Sequence, residues 1–598
     1  MAEPKCADET STQDDEIERE NEFDWSSDEI EAIEDTVNLW ERGVSIELLL
    51  ELLEEHQLEN LTTREAVSKF VLPQTHDYEC SLAGVMKHSF EDAVDFATHY
   101  VIHPWDANFG RLVRALMSVD SAYRSVNGPN FQAFFWIDVF AIDLHNHFAG
   151  YNDSERLWLH RDDLLQNVRS CIEIIPCTCL FMDPSPNPLV MGRSWCLYEC
   201  MQALLYSRQL ILSYCPEPGV RRMEPAVKDF KNAMKLFTPN FMASKTSFLQ
   251  DKEWLLNAVI AAHPSGVSWL NEHVGNVMLH WLAEEVMSEI ALVGEQPPIA
   301  TLHDLALLLE TLGSVEQANI QFVRALDLSR DQLGMCHSLT LAISHDLACM
   351  QAKHLFMFDE AEQLLCEALD GREKIFGKTH DLTNETVLAL ARLLQAQSRT
   401  EQAEKLFRRA VECCLIEHGF EHRATLVAAN LLALLLQEKG DLFEAQVLLT
   451  RTLNSGVEIL GPKHIDVLVW RNNLAVLLQD SQDLKRAESV FRKALTDSEQ
   501  SLGPDHQQTL NIVYNLGQCL WQQKKLRAAE MLFRRELAGC QAIYGPDHHD
   551  TMRSGRNLVE FLQAQDRYEE AKEFVELVRI EEGDEEDDDE EEEQGGGF

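Results

Sequence analysis

Basic residues are scarce in this 598-residue chain. Lysine and arginine together number 51 against 100 aspartates and glutamates, which gives a formal net charge of −49 at pH 7. A nucleic-acid-binding protein needs a basic surface to meet phosphates, and docking on anionic lipid needs one as well. The composition therefore argues against a nucleic-acid partner and against attachment to an anionic membrane surface.

Long apolar runs and paired cysteine motifs are also missing. No stretch of about 18 apolar residues occurs, so we expect no membrane insertion. Residues 1–20 lack the basic start and apolar core of a secretory signal. The 15 cysteines include no C-x-x-C pair, which favours a reducing, cytoplasmic location and predicts no metal site. Neither a G-x-G-x-x-G nor a Walker motif is present to bind a phosphate group, and we expect that no cofactor is required.

Acidic charge is concentrated near the two ends of the sequence. Residues 1–60 hold 21 acidic and three basic residues, and residues 581–598 hold 12 acidic residues and no basic one. Like charges repel and little apolar surface is available there, so we predict disordered tails at 1–27 and 581–598. Binding a basic protein partner is an alternative role for the tails. Between them, 28–59 is predicted to be a short helical leader.

A period of 42 residues organises the C-terminal half. The same register carries a glycine, a histidine three residues later and a small residue: Gly377, Gly419, Gly461, Gly503 and Gly545; His380, His422, His464, His506 and His548; Ala403, Ala445, Ala487, Ala529 and Ala571. Threonine follows each histidine by three residues, except at Val467. Upstream the step becomes 43, which indicates one inserted residue near 354–358. We interpret the histidines as packing and capping residues.

Each repeat reads as two amphipathic helices with apolar residues at i, i+3 and i+4. Glycine after the second helix fits a left-handed cap. A helix pair cannot bury its apolar stripe alone, so neighbouring pairs must stack. We predict an α-solenoid of about seven helix pairs over 300–580.

This array resembles the tetratricopeptide repeat (TPR) family in its kinesin-light-chain form. The matching text is NNLAVLLQ (472–479), KRAESVFRKAL (485–495) and SLGPDHQQTL (501–510). The resemblance implies a right-handed superhelix whose concave face binds a protein or peptide ligand. A kinesin light chain also pairs with the kinesin heavy chain through long N-terminal heptads. Here 28–58 offers only two short amphipathic pieces, which argues against that partner.

One asparagine column lies on the first helices of the repeats: Asn473, Asn515 and Asn557. An asparagine amide offers both a donor and an acceptor, so these side chains could bind the backbone of a ligand. The alternative is a structural hydrogen bond between adjacent helices. The sequence favours neither ligand binding nor the structural hydrogen bond over the other.

The region 60–295 has a different pattern. Four apolar runs of strand length, at 96–102, 134–140, 177–181 and 209–214, alternate with helical segments. Continuous apolar strands separated by helices predict an α/β domain with a parallel sheet that is covered on both faces. Ligands in such domains bind at the carboxyl ends of the strands.

GRSWCLYECMQAL (192–204) is similar to the W-C-x-x-E box of TIR domains, and HPW (103–105) and FWIDVFAIDLHN (135–146) add to this resemblance. It implies a flavodoxin-like fold and self-association between TIR-like domains. In active TIR domains the helix glutamate cleaves the nicotinamide–ribose bond of NAD, which maps to Glu199 as catalytic residue and NAD as substrate. Candidate pocket residues are His103, Trp105, Asp138, Ser194 and Trp195.

The leading hypothesis is an adaptor or scaffold whose TPR solenoid captures a protein or peptide and whose TIR-like domain mediates assembly or signalling. The alternative is a TIR-type NAD glycohydrolase that the repeats regulate. A second alternative is a cargo adaptor similar to a kinesin light chain.

Overall fold

The computed structural model describes residues 38–75, 80–90, 92–144, 156–183, 188–215, 223–246, 249–263, 266–293, 296–545 and 548–575. The predicted tails at 1–27 and 581–598 lie outside these residues. The chain divides into two compact units, Met1–Gln321 and Phe322–Phe598. The division falls within the helix Val315–Gln332, inside the predicted repeat array.

The described part of the first unit contains a mixed sheet of six strands: β1 (Gly43–Ser45), β2 (Val94–Asp95), β3 (His99–Ile102), β4 (Phe134–Trp136), β5 (Cys177–Phe181) and β6 (Gln209–Ser213). Their spatial order is β2-β1-β4-β3-β5-β6. The last four strands in this order run parallel, which confirms the four predicted strands.

The prediction of a wholly parallel sheet is wrong at one edge. β1 pairs antiparallel with both β2 and β4. β1 comes from the segment 28–59, so the described part of the predicted leader contributes a strand as well as the helix Ile46–Glu55. Strands of two or three residues are too short to produce an alternating pattern, and the sequence therefore did not reveal them.

The predicted strand at 134–140 also ends early. β4 stops at Trp136, and a one-turn helix, Asp138–Ala141, follows it. The Asp138 Oδ1 accepts a hydrogen bond of 2.8 Å from the Val139 N–H at the start of this turn. Val139 and Phe140 are buried in the core. Branched and aromatic residues suit any buried position, so their presence did not distinguish a strand from a helical turn.

The described part of the first unit also contains helices at Ile46–Glu55, Thr63–Ala66, Leu72–Thr75, Leu82–Ser89, Phe109–Asn127, Asp138–Ala141, Arg156–Ile174, Ser194–Leu205, Glu224–Lys228, Phe230–Phe237, Leu249–Ala262 and Gly266–Val293, with 3₁₀ turns at Leu39–Glu41 and Leu189–Gly192 and a π-helical turn at Val67–Val71. The helix Phe109–Asn127 begins where the Asn108 side chain accepts a hydrogen bond from the Arg111 N–H. Leu112 and Leu116 are fully buried against the strands. Among the described helices, none has the length and hydropathy needed to cross a bilayer.

Six helix pairs follow within the described part of the second unit: Ser338–Met350 with Phe358–Phe376, Asp381–Ala396 with Thr400–His418, Arg423–Lys439 with Leu442–Leu460, Ile465–Asp480 with Leu484–Ser501, Gln507–Gln522 with Leu526–Tyr544, and His549–Gln563 with Tyr568–Val575. The helices Ile299–Thr311 and Val315–Gln332 precede them in the chain. The small-residue column is buried throughout, with exposed fractions of 0–1% at Ala361, Ala403, Ala445, Ala487, Ala529 and Ala571. A methyl group at these positions lets the two helices of a pair approach closely.

The junction between repeats is built from the three periodic residues. Gly377 has φ 91° and ψ 171°, and Gly461 has φ 87° and ψ 157°. The positive φ agrees with the prediction, but ψ is extended rather than left-handed helical. This backbone region is accessible essentially to glycine alone. A Cβ would contact nothing within 4 Å at either position, so the backbone conformation and not crowding explains the glycine column.

The histidine column caps the first helix of each pair, as predicted. The Nδ1 atoms of six histidines accept hydrogen bonds of 3.1–3.3 Å from the N–H two residues later: His337, His380, His422, His464, His506 and His548. At four junctions the threonine three residues on donates back to the glycine carbonyl, for example Thr383 to Gly377 at 2.8 Å. These bonds satisfy polar groups that a helix end leaves open.

The predicted one-residue insertion forms a π-helical turn, Gln351–Leu355, which continues the helix Ser338–Met350. Phe356 follows it with a φ of 54°. Single π turns accommodate an inserted residue without ending the helix. The repeat register therefore recovers by Ala361, which is fully buried in its column.

Candidate functional site

The carboxyl ends of β3 and β4 bring several polar side chains together in the first unit. Tyr100 pairs with Trp136 across the two parallel strands, and their rings stack at 4.7 Å. His103 and Trp105 follow β3, and Asp138 follows β4. Because adjacent parallel strands end at the same edge of a sheet, these residues meet where α/β folds bind ligands.

Glu199, on the helix Ser194–Leu205, reaches this edge. The Tyr100 hydroxyl donates a 2.6 Å hydrogen bond to the Glu199 Oε1. Burial raises the pKa of Glu199 to about 8; the Tyr100 hydrogen bond lowers it and the nearby Asp138 carboxylate raises it. Glu199 is therefore mostly protonated at neutral pH and can act there as a proton donor.

Asp138 connects the other two predicted pocket residues. The Trp105 indole N–H donates to the Asp138 Oδ2 at 2.7 Å. The His103 Nε2 lies 3.8 Å from the Asp138 Oδ1, and neither ring nitrogen of this buried histidine makes a hydrogen bond. Burial lowers the pKa of His103, so the ring is neutral. The structure thus brings His103, Trp105, Asp138 and Glu199 into one neighbourhood.

Ser194 has different partners. Its Oγ accepts a 2.8 Å hydrogen bond from the Lys252 Nζ and lies 2.7 Å from the Ser244 Oγ. The ammonium also donates to the backbone carbonyls of Phe241 and Ser244. Ser194 is fully buried, so this arrangement joins the helix Ser194–Leu205 to the helix Leu249–Ala262 and is not open to a substrate.

Trp195, like Ser194, contacts the helix Leu249–Ala262. Its ring centroid lies 5.6 Å from that of Trp254 and 6.4 Å from that of Tyr198. Ser194 and Trp195 thus pack against Ser244, Lys252 and Trp254.

Tyr100 was not among the sequence candidates. It lies within the apolar run 96–102, where the pattern predicts only a buried strand residue. Two arginines near the same edge were also missed: Arg64 and Arg193 each lie 3.2 Å from the Asp106 carboxylate. Arginine and aspartate in loops carry no periodic signal, so only the fold reveals their proximity.

Consecutive first helices of the array are joined by short polar side chains. The Asn473 amide donates to Asn430 at 2.9 Å, and the Asn515 amide donates to Asn472 at 3.0 Å. These are the structural hydrogen bonds that the sequence left as an alternative to ligand binding. Asn557, in contrast, makes no such bond within the described part of the chain.

Consecutive second helices are joined by arginine–glutamate pairs. Examples are Arg408 to Glu444 at 2.9 Å, Arg330 to Glu367 at 2.7 Å and Arg535 to Glu499 at 2.7 Å. Long side chains join first helices as well, for example Arg423 to Asp466. Close packing of the first helices is shown by the backbone, because Cα atoms of Ile465–Asp480 lie within 8 Å of those of both neighbouring first helices.

The exposed face of these first helices changes character along the array. Val427, Val469 and Val476 are half-buried in the middle repeats, whereas Asn511 and Arg553 occupy exposed first-helix positions further on. A face that combines apolar contacts with amides and a guanidinium can hold an extended peptide through both side-chain and backbone contacts.

One group within the described residues has the composition of a metal site. His548, His549 and Asp550 bring possible ligand atoms within 4.8 Å of one another. However, the His548 Nδ1 already accepts the Asp550 N–H, and Arg553 lies 2.6 Å from the Asp550 carboxylate. These groups are engaged within the protein, and we assign no metal to them.

The model of the tetratricopeptide repeat family matches residues 352–416, 424–500, 470–542 and 509–578. The C-terminal region therefore consists of TPR repeats. None of the curated proteins matches the chain.

Several solved structures resemble parts of the chain. BtubC (BKLC) from P. vanneervenii is 20% identical, with a TM-score of 0.33, over 37% of this chain and 89% of that one. A putative kinesin light chain with TPR-like repeats from Podosopora anserina is 21% identical, with a TM-score of 0.31, over 34% and 96%. The quorum sensor NprR from B. thuringiensis is 13% identical, with a TM-score of 0.39, over 55% and 96%.

Proposed function

We propose that the chain is a protein-binding adaptor whose TPR array holds a peptide or protein segment on its first-helix face. The observation that carries this proposal is the difference between the two faces of the array. Consecutive first helices approach within 8 Å between Cα atoms and are joined by Asn–Asn bonds of 2.9–3.0 Å, while arginine–glutamate pairs link the second helices. The first helices then line the inner surface, where side chains from successive repeats converge on one ligand.

Direct selection of ligands tests the adaptor function. Peptides from a displayed random library would be selected on the immobilised full-length chain, and the affinity of synthetic copies measured by fluorescence anisotropy. Asn511→Arg places a long charged side chain on the first-helix face and is expected to weaken binding at least tenfold. Ser489→Arg places the same side chain on an exposed second-helix position and is expected to leave affinity within about twofold. Equal losses in both variants, or no selected peptide, would contradict the proposal.

For the first unit, our proposal is a TIR-like domain that mediates assembly or signalling. The four parallel strands, β3 to β6, support this proposal. When they are numbered 1 to 4 along the chain, their spatial order is 2-1-3-4, which is the order of flavodoxin-like sheets. Binding of a ligand by the repeats would raise the local concentration of these domains and so favour their assembly.

NAD hydrolysis is a second candidate function for this unit. The contacts among Tyr100, Asp138 and Glu199 support it, because they gather carboxyl groups at the ligand-binding edge of the sheet. The nicotinamide–ribose bond would break, nicotinamide would leave as a neutral ring, and water would add to the ribose carbon with loss of a proton. A positively charged nicotinamide ring beside Glu199 would favour its ionised form, and that carboxylate would stabilise the charge developing on the ribose.

Nicotinamide release measures this activity directly. The full-length protein would be incubated with NAD at high concentration and on a clustering surface, and nicotinamide followed by chromatography. We expect release by the wild type and by Glu173→Gln, which changes an exposed glutamate, but not by Glu199→Gln. Without release from the folded, clustered wild type, the enzyme function is wrong and the binding function stands alone.

A further inference from the structure

The penultimate and last helix pairs of the array enclose a buried carboxyl group. Glu536 lies on the helix Leu526–Tyr544 and is only 5% exposed. In the four preceding repeats the same register position holds a small, fully buried residue: Ala368, Ala410, Thr452 and Ala494. A glutamate at this position places an ionisable group where the other repeats have a methyl group or a hydroxyl.

The Glu536 carboxyl is only partly satisfied. Its Oε1 accepts a 2.8 Å hydrogen bond from the Ser554 hydroxyl on the facing helix His549–Gln563. Its Oε2 is buried and has no hydrogen-bond partner. A neutral carboxylic acid tolerates this environment far better than a carboxylate, whose charge would lose its hydration without compensation.

The charged and titratable groups around Glu536 do not neutralise it. On the facing helix, Arg553 is bound to the Asp550 carboxylate at 2.6 Å. On its own helix, Cys540 shares the Ser554 hydroxyl. On Gln507–Gln522, Tyr514 bonds to Gln518 and Cys519 bonds to the Leu484 carbonyl.

The final helix, Tyr568–Val575, supplies no counter-ion either. The Glu570 carboxylate pairs with Arg567, and Lys572 pairs with Glu569. Burial raises the pKa of Glu536 to about 7; Ser554 and Arg553 lower it, and Asp550 raises it. Geometry and charge therefore agree that this carboxyl is held in its protonated form by the packed interface.

We propose that the interface between Leu526–Tyr544 and His549–Gln563 is a pH-sensitive joint, packed when Glu536 carries a proton and loosened when that carboxyl ionises. The group titrates near neutral pH because it is buried, and ionisation favours any opening that lets water reach it. Since the proton is held by the packed state, the joint is firmest in acid and weakens as the pH rises through about 7.

Hydrogen exchange of the full-length protein at several pH values tests the joint. After correction for the intrinsic pH dependence of exchange, the opening equilibrium of peptides from these two helices is expected to rise by on the order of 100-fold between pH 5 and pH 8. Peptides from Ile465–Asp480 and Leu484–Ser501, whose column residue is Ala494, serve as internal controls and should change little.

Three variants identify the titrating group. Glu536→Gln keeps the shape without the charge and is expected to abolish the pH dependence, and Glu536→Ala, which restores the usual column residue, does the same if Gln packs poorly. Glu560→Gln removes an exposed carboxylate from the facing helix His549–Gln563 and should retain the full dependence. The proposal is overturned if wild-type exchange does not depend on pH, or if both Glu536 variants respond as the wild type does.

The joint also has a consequence for the array's ligand-binding face. Asn557 lies on the helix His549–Gln563, so loosening of this helix would move a candidate ligand contact. This consequence rests on the proposed adaptor function, whereas the hydrogen-exchange test does not. If exchange at this interface depends on pH but no peptide is selected on the array, the joint is supported and only the adaptor function fails.

Discussion

The Tyr100 hydroxyl donates a 2.6 Å hydrogen bond to Glu199, and the Tyr100 ring is itself fixed by stacking on Trp136. The Trp136 indole N–H donates in turn to the Leu39 carbonyl at 3.0 Å. A strand residue therefore sets the position and proton affinity of the one glutamate that the W-C-x-x-E box singled out. The sequence motif names this glutamate, but its environment comes from two strands distant in sequence.

Replacing Glu199 by Gln is expected to change how stability depends on pH. The folded-state pKa of about 8 lies above the ordinary value of 4.5, so the favourable contribution is complete below pH 4.5 and is lost as the pH rises towards 8. We therefore expect the stability of Glu199→Gln relative to the wild type to increase by about 1–3 kcal/mol between pH 6 and pH 9. Hydrogen exchange of β3 and Ser194–Leu205 peptides measures this, and Glu173→Gln should show no such gain.

Replacing Tyr100 by Phe removes a hydrogen bond that lowers the pKa of Glu199. The midpoint of the pH dependence described above is therefore expected to move to higher pH, while the ring continues to stack on Trp136. The same hydrogen-exchange titration, run on Tyr100→Phe, checks this direction. A midpoint that stayed in place or fell would show that the Tyr100 hydroxyl does not act on Glu199.

Two glycines distinguish two kinds of helix ending. Gly440 has φ 89° and ψ 4°, a left-handed conformation that asparagine tolerates, whereas Gly377 has φ 91° and ψ 171°. Neither would bring a Cβ within 4 Å of another atom. We expect Gly377→Asn to cost about 1–3 kcal/mol and Gly440→Asn well under about 1 kcal/mol in urea unfolding. Equal costs would mean that the two backbone conformations are not the deciding factor.

Arg471 and Asp497 form a buried ion pair in the array. The Arg471 side chain is 4% exposed, and its guanidinium lies 2.5 Å from the Asp497 carboxylate. Asp497→Ala leaves this charge buried and unpaired, which is expected to destabilise the array by about 3–5 kcal/mol. The double variant Arg471→Met, Asp497→Ala should recover most of that loss. Urea unfolding measures the stability of the two variants. If the double variant is as unstable as Asp497→Ala, the loss comes from packing and not from the unpaired charge.

The histidine caps predict a small, local effect. The His506 Nδ1 accepts the Gln508 N–H at 3.1 Å. His506→Ala is expected to cost about 1 kcal/mol, because it leaves a helix-end N–H without its partner. Asn is a strong capping residue, so His506→Asn should restore most of the stability. Thermal unfolding followed by circular dichroism resolves the order of the three proteins, and an alanine variant as stable as the wild type would rule out capping.

Much of the array could be predicted from the sequence. The 42-residue register located the helix pairs of the second unit, the buried alanine column and the capping histidines, because each repeat meets the same neighbours and so needs the same residues. Even the inserted residue near 354–358 was placed, and it lies beside the π turn Gln351–Leu355. The extended ψ at Gly377 was not predicted. A glycine that recurs in register indicates a positive φ, but it does not give the value of ψ.

The sequence by itself also determined the strand content of the parallel block and the candidate residues His103, Trp105, Asp138 and Glu199. Only the tertiary structure decided that Tyr100 bonds to Glu199, that Ser194 bonds to Lys252, and that β1 pairs antiparallel with β4. The physical reason is the range of the interactions. Periodic patterns record contacts that every repeat or helical turn makes locally, whereas these contacts join residues 50 or more apart in sequence, where no spacing rule operates.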